Sequence, residues 1–292
     1  MAYRLKIRKS VRREVKRVLI NELQSTLMLL RDSSGARGGT SIHESRKHLK
    51  KARALMRLVK PAAGGAFYKR ENAVLRKAAQ LLSPIRDAHV RVQSLKSLVP
   101  EDRSRRASPA IARIQRTMDA ALDRELTADG RSRQQAAVHI ELALRGVTSH
   151  SLRRLDRKSL VEGLRLRCRK ARRALKAAQR VPSDINLHEL RKRIKDLGYD
   201  LRLLRGGCPP PIKRLLQHTD ELSEMLGDHH DIAMLLAARA TDARPEDWDE
   251  LEKVVSRRRT RLQRDGLRLA ARMLCRKPSE FADLGMRNWT TS

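Results

Sequence analysis

Two short segments carry the residues best suited to chemistry. HESRKHLK at 43–50 and HELRKRIK at 188–195 align His on His, Glu on Glu, and Arg, Lys and Lys on their counterparts. In the first copy His43, Arg46, Lys47 and Lys50 stand at i, i+3, i+4 and i+7, and Arg53 and Arg57 prolong the row. His188, Arg191, Lys192 and Lys195 repeat that spacing, prolonged by Arg202. On an α-helix these positions share one face, so each segment presents a ladder of cations headed by an imidazole. From His43 to Arg57 the ladder spans roughly 21 Å. Like charges one turn apart repel by a few tenths of a kcal/mol per pair, so an uncompensated row points to an anionic ligand. Arg and Lys donate charge-assisted hydrogen bonds to phosphate oxygens, and an imidazole adds one N–H when neutral or two when protonated.

Each ladder borders an apolar stripe, Ile42, Leu49, Ala52, Met56 and Val59 in one copy and Leu187, Leu190, Ile194, Leu197 and Leu201 in the other. Ser41 with Glu44, and Asn186 with Glu189, read as capping boxes. They place both histidines in a first helical turn, where free N–H groups and the helix dipole favour anions. Further basic rows flank apolar faces elsewhere. Arg8, Arg12 and Lys16 lie in the first helix, Arg165, Arg169, Arg172 and Lys176 in a long central helix, and Arg86 beside Asp87. Rows of this kind converge when their helices bundle, giving a cationic groove rather than a diffuse basic skin.

The elements that must position these rows are helices. The 292-residue chain is 40% hydrophobic with only 2% aromatic residues, and Gly and Pro are few. That composition favours an all-α fold with an aliphatic core. Periodicity predicts helices over about 8–30, 42–59, 67–82, 84–98, 108–126, 132–145, 151–179, 187–205, 211–226, 228–240 and 245–275, with a frayed tail from Pro278. The segment 31–41 reads as a loop, Gly206-Gly207 with the prolines after it as a stop, and Asp242 with Pro245 as the start of the last helix. A second signature follows each ladder: in PIRDAHV (84–90) and LGDHHDI (226–232), Asp87 aligns with Asp228 and His89 with His230. The repeat unit is about half the chain, which predicts one domain made of two similar helical halves, 1–130 and 131–292.

Sixty-six Lys+Arg against thirty-three Asp+Glu leave a formal net charge of +33. An excess of that size opposes compaction and suits a polyanionic partner. Cys168, Cys208 and Cys275 form no CxxC pair, which fits neither a disulfide framework nor a zinc site and suits a reducing, cytoplasmic setting. No signal peptide and no membrane-spanning apolar run is visible, so no membrane insertion is expected.

Enzyme readings find little support. HExxH fails in both copies because Lys47 and Lys192 occupy the second histidine position. Phosphate-binding, dinucleotide-binding and nucleophile-elbow motifs are missing, so no cofactor and no catalytic residue is expected. Asp228, His230 and Asp231 keep a metal-dependent phosphohydrolase open as an alternative, although Val90 stands where a repeated design would place a second Asp231. Nucleic acid is the main rival ligand, with a nucleoid-associated role. Against it, base stacking needs aromatics, which are scarce outside the basic rows, and no helix-turn-helix with base-reading Asn or Gln is evident. Polyphosphate, a thin chain without bases, threads between packed helices where a duplex cannot.

The doubled HxxRKxxK helix, the RD and LGD signatures and the long basic helices resemble the CHAD family, the conserved histidine α-helical domain, over nearly the whole chain. That resemblance implies two four-helix-type bundles related by pseudo-twofold symmetry around a basic central cavity. It also implies non-catalytic binding of inorganic polyphosphate and a place on polyphosphate granules. Carried over by position, the binding set is His43, Arg46, Lys47, Lys50 and Arg53 with His188, Arg191, Lys192 and Lys195. The chain departs from the pattern where Gly198 precedes Tyr199 in place of an arginine.

Overall fold

The computed structural model describes residues 3–6, 8–32, 38–98, 108–205, 210–239 and 244–286. Among them every regular element is a helix: α1 (Val11–Arg31), α2 (Gly38–Leu58), α3 (Lys60–Ala63), α4 (Gly65–Leu81), α5 (Ser83–Leu98), α6 (Pro109–Thr127), α7 (Asp129–Ser149), α8 (Arg157–Arg180), α9 (Asp184–Leu204), α10 (Pro210–Ala237), α11 (Pro245–Met273) and α12 (Pro278–Met286). The predicted stop at Gly206-Gly207, Cys208, Asp242 and residues 33–37 of the predicted 31–41 loop lie outside the described residues, while Arg31 ends α1 and 38–41 are already helix in α2.

Helices α1, α2, α4 and α7 pack on one another, and so do α8, α9, α10 and α11, with α12 against α8. The ladder helices α2 and α9 touch directly. One apolar core runs through both groups, from Val15, Leu19 and Leu23 to Leu164, Leu197 and Phe281. A smaller core joins α5 and α6 to the later half of α10 and the first half of α11 through Leu95, Ile114, Leu235, Trp248 and Leu251. This second core holds α5, and with it Arg86, against α10.

Local chemistry explains the boundaries. Asp156 and Ser159 form a reciprocal capping box at the start of α8. Ser183 caps α9 by accepting from the Asn186 backbone N–H at 3.3 Å. Pro109 and Pro245 open α6 and α11, where a missing N–H costs nothing. At Gly163 a Cβ would fall 2.0 Å from the Leu58 carbonyl oxygen, so α8 crosses the end of α2 at backbone distance.

Three expectations need correction. The predicted helices at 211–226 and 228–240 are one continuous α10. A mid-helix glycine costs only about 1 kcal/mol, so Gly227 does not break it. Residues 278–286 of the tail are not frayed but form α12, which buries Phe281, Ala282, Gly285 and Met286. The capping boxes are not where the spacing put them. α2 already runs from Gly38, α9 is capped at Ser183, and both histidines stand in the second turn, away from the free N–H groups.

Candidate functional site

The apolar stripes of α2 and α9 turn into the core and leave the ladders on the faces beside them. Ile42, Leu49, Ala52, Met56 and Val59 are buried on one helix, and Leu187, Leu190, Ile194, Leu197 and Leu201 on the other. The ladders bring a defined set of charges within Coulombic reach of one another. Burial lowers the pKa of Lys50 from 10.5 to about 7, and the repulsion of Lys195, Arg46, Arg191 and Arg86 adds to it. Water reaches the Lys50 side chain, yet protein surrounds it, which describes a recessed group. Burial, with the repulsion of Arg191 and Arg86, lowers Lys195 to about 8. Four elements thus contribute to one charged region, with α2, α9 and α5 supplying cations and α10 supplying Asp231.

The arginines differ in how free they are. Arg46 donates from Nη1 to the Ala79 carbonyl and to Ser83 Oγ, both at 2.7 Å, which ties α2 to the α4–α5 joint. Its buried Nε has no partner, nor does Arg191 Nε. Burial lowers the pKa of Arg46, Arg86 and Arg191 from the ordinary arginine value, against support from Asp87 and Asp231. Buried donors without partners are costly, and a ligand oxygen would satisfy them.

At one end of the ladders the His188 ring lies 4.0 Å from the His230 ring at a 34° tilt. Burial and nearby cations lower them to about 4 and about 3, so both are neutral at pH 7. His188 Nδ1 is buried without a partner. His43 is more exposed, and its pKa is also lowered, by burial and then by Arg86. Lys47 and Lys192 occupy the rim, each 3.3 Å from the glutamate three residues earlier, Glu44 and Glu189. Those glutamates therefore neutralise ladder lysines rather than cap helices.

Other predicted residues go elsewhere. Arg53 donates to Asn72 Oδ1 at 3.3 Å. Arg57 is bonded to Asp196, and Arg202 to Asp220. Lys16 donates to the Thr148 carbonyl. Arg165 pairs with Asp283 at 3.5 Å, and Arg172 donates to the Arg276 carbonyl, so both fasten α12 and the chain before it. Arg8, Arg12, Arg169 and Lys176 are exposed. The basic rows of α1 and α8 are not among the charges acting most strongly on Lys50, Arg86, Arg191 or Lys195.

Sequence reasoning missed a buried network below the ladders. Arg167 pairs with Asp196 and, through Nε at 3.2 Å, with Asp200, while Arg57 takes the other oxygen of Asp196. Burial pushes Asp200 up to about 7 despite Arg167. The signal was legible, because Arg167 interrupts the apolar row Leu160, Leu164, Cys168 and Ala171 at helical spacing. Gly198 also has a reason. A Cβ there would approach Arg202 Nη1 to 3.1 Å and Thr219 Oγ1 to 3.2 Å, so the Arg202 guanidinium and α10 take the space of the missing side chain.

The acidic–histidine cluster does not assemble for metal. Arg258 donates to Asp228 at 2.9 Å, Asp231 faces cations, and His230 stacks on His188. Among the described residues no group of three His, Cys, Asp or Glu is placed to hold a metal ion. No helix among them is long and apolar enough to cross a membrane.

A family model described as the CHAD domain matches residues 23–240. A solved structure, the crystal structure of the CHAD domain from the plant Ricinus communis, superposes with a TM-score of 0.62. The likeness covers 98% of this chain and 95% of that one at 15% identity, which speaks to fold alone. No curated protein matches the chain.

Proposed function

Because the chain belongs to the CHAD domain family, we propose that it binds inorganic polyphosphate, without catalysis, in a slot between the ladder helices α2 and α9. The observation that carries this reading is the crowding of Lys50, Lys195, Arg46, Arg191 and Arg86, cations from three helices that repel one another and bury donors without partners. A fold keeps such a group where an anion offsets the repulsion. In this reading the two repeats face each other across the slot as a pseudo-symmetric pair, and a phosphate chain lies along both ladders. His188, neutral at pH 7, donates one N–H to a phosphate oxygen; Arg46 and Arg191 bind bidentately; Lys47 and Lys192 guide the chain at the rim. Binding to a polymer of this kind would place the protein in the cytoplasm on polyphosphate granules.

Titration with phosphate chains of graded length tests the reading. Affinity should rise with chain length as more rungs engage and should weaken with salt. Affinity independent of length would sink it. Duplex DNA is the discriminating competitor, since a nucleoid-associated protein would exchange polyphosphate for DNA readily. The phosphohydrolase alternative predicts metal-dependent phosphate release that disappears in Asp231→Ala.

A further inference from the structure

One carboxylate stands inside the cationic group itself. Asp231 is on α10, one turn after Gly227, and the guanidinium of Arg191 lies against that glycine, with Nη2 3.5 Å from where a Cβ would be. Asp231 also lines a cleft of about 250 Å³ shared with Arg86, Arg258, Asp228 and Val90. It is the leading opposite charge for Arg86, Arg191 and Lys195. Burial raises its pKa from the usual carboxylate value, and those same three cations offset part of the rise. Asp228 plays a different part, because Arg258 holds it at 2.9 Å.

The repeat makes this placement informative. Asp87 supports Arg46 as Asp231 supports Arg191, but Asp231 is also the leading opposite charge for Arg86 and Lys195, and Val90 lines the same cleft. A carboxylate shared among three cations of a polyanion site acts as a tethered anion whose effective concentration every incoming anion must exceed.

We propose that Asp231 is a built-in competitor that sets the affinity threshold of the phosphate site, so that small anions fail to occupy it and chains with many charges succeed. This rests on the polyphosphate reading above. Removing one partly solvated charge contact shifts binding by about three- to fivefold. Calorimetric titration with tripolyphosphate and with long-chain polyphosphate is the test, on the full chain and on Asp231→Asn and Val90→Asp, with helicity checked by circular dichroism. Asp231→Asn should bind both ligands about three- to fivefold more tightly, and Val90→Asp should weaken both by a similar factor. Unchanged or weaker binding by folded Asp231→Asn overturns the proposal and makes Asp231 a support for its arginines. Should Val90→Asp fail to fold, the asparagine variant decides alone. Absence of binding by the unaltered protein would instead strike the polyphosphate reading, so the two failures are distinct.

Discussion

Arg57 on α2 is bonded to Asp196 on α9, so the last rung of the first ladder fastens the helix that carries the second. Arg167 from α8 takes the other oxygen of Asp196 and also reaches Asp200. The two ladder helices are therefore held together by a buried ionic knot below the exposed cations. Breaking a buried pair leaves an uncompensated charge, which costs far more than the pair itself contributes.

Arg167→Ala should accordingly destabilise the fold by about 3–5 kcal/mol. Arg57→Ala should cost less, about 1–3 kcal/mol, because Arg167 remains on Asp196. Urea unfolding monitored by circular dichroism measures both. No loss in Arg57→Ala would show that the knot does not hold α2 to α9.

Lys50 and Lys195 lie deeper than Lys47 and Lys192, whose charge Glu44 and Glu189 already offset. The sequence alone predicts that reversing Lys47 and Lys192 together abolishes polyphosphate binding. The structure adds an order: Lys50→Ala with Lys195→Ala should weaken binding more than Lys47→Ala with Lys192→Ala. The deeper double variant should also melt at a higher temperature when no anion is present, because it removes repulsion. Filter binding and thermal melts give the two readings. A rim variant that loses more affinity than the deep one would reverse the assignment.

Protonation follows from the same crowding. Lys50 and Lys195 fall to about 7 and about 8 from 10.5. Between those values and 10.5 the unfolded chain binds more protons than the folded one. Their destabilising charge is therefore complete below pH 7 and fades as pH rises toward 10. A bound polyanion restores the charge, so affinity should fall as pH rises from 7 to 9, with net proton uptake at pH 8. Calorimetry at pH 8 in two buffers of different ionisation enthalpy detects that uptake. Identical heats would mean that neither lysine faces the ligand.

Gly163→Ala should be severe, because the position is buried. Its Cβ would meet the Leu58 carbonyl oxygen at 2.0 Å, a backbone atom that cannot swing away. Separating α8 from α2 should cost about 3 kcal/mol or more and displace Arg167 from the knot. A melting temperature within a degree of the unaltered protein would contradict the close crossing.

Much of the protein was legible in the chain itself. Helical periodicity and the scarcity of Gly and Pro determined an all-α fold. The doubled spacing of His, Arg and Lys put a cationic row on each of α2 and α9, because side chains three and four apart share a helix face whatever packs around them. Family membership was written in the same repeat. Tertiary structure alone decided which cations meet. Lys50 and Lys195 are far apart in sequence, and Lys195 acts on Lys50 only because α2 touches α9. Arg165, Arg172 and Arg202 look like further rungs, yet each finds an oxygen on a neighbouring segment that no local pattern reveals. The place of both histidines in the second turn of their helices, the unbroken α10 and the buried α12 were decided in the same way, since packing against neighbours outweighs local caps and a single glycine. Position along one helix depends on backbone geometry, whereas the partner of a charge depends on which helices the core brings together.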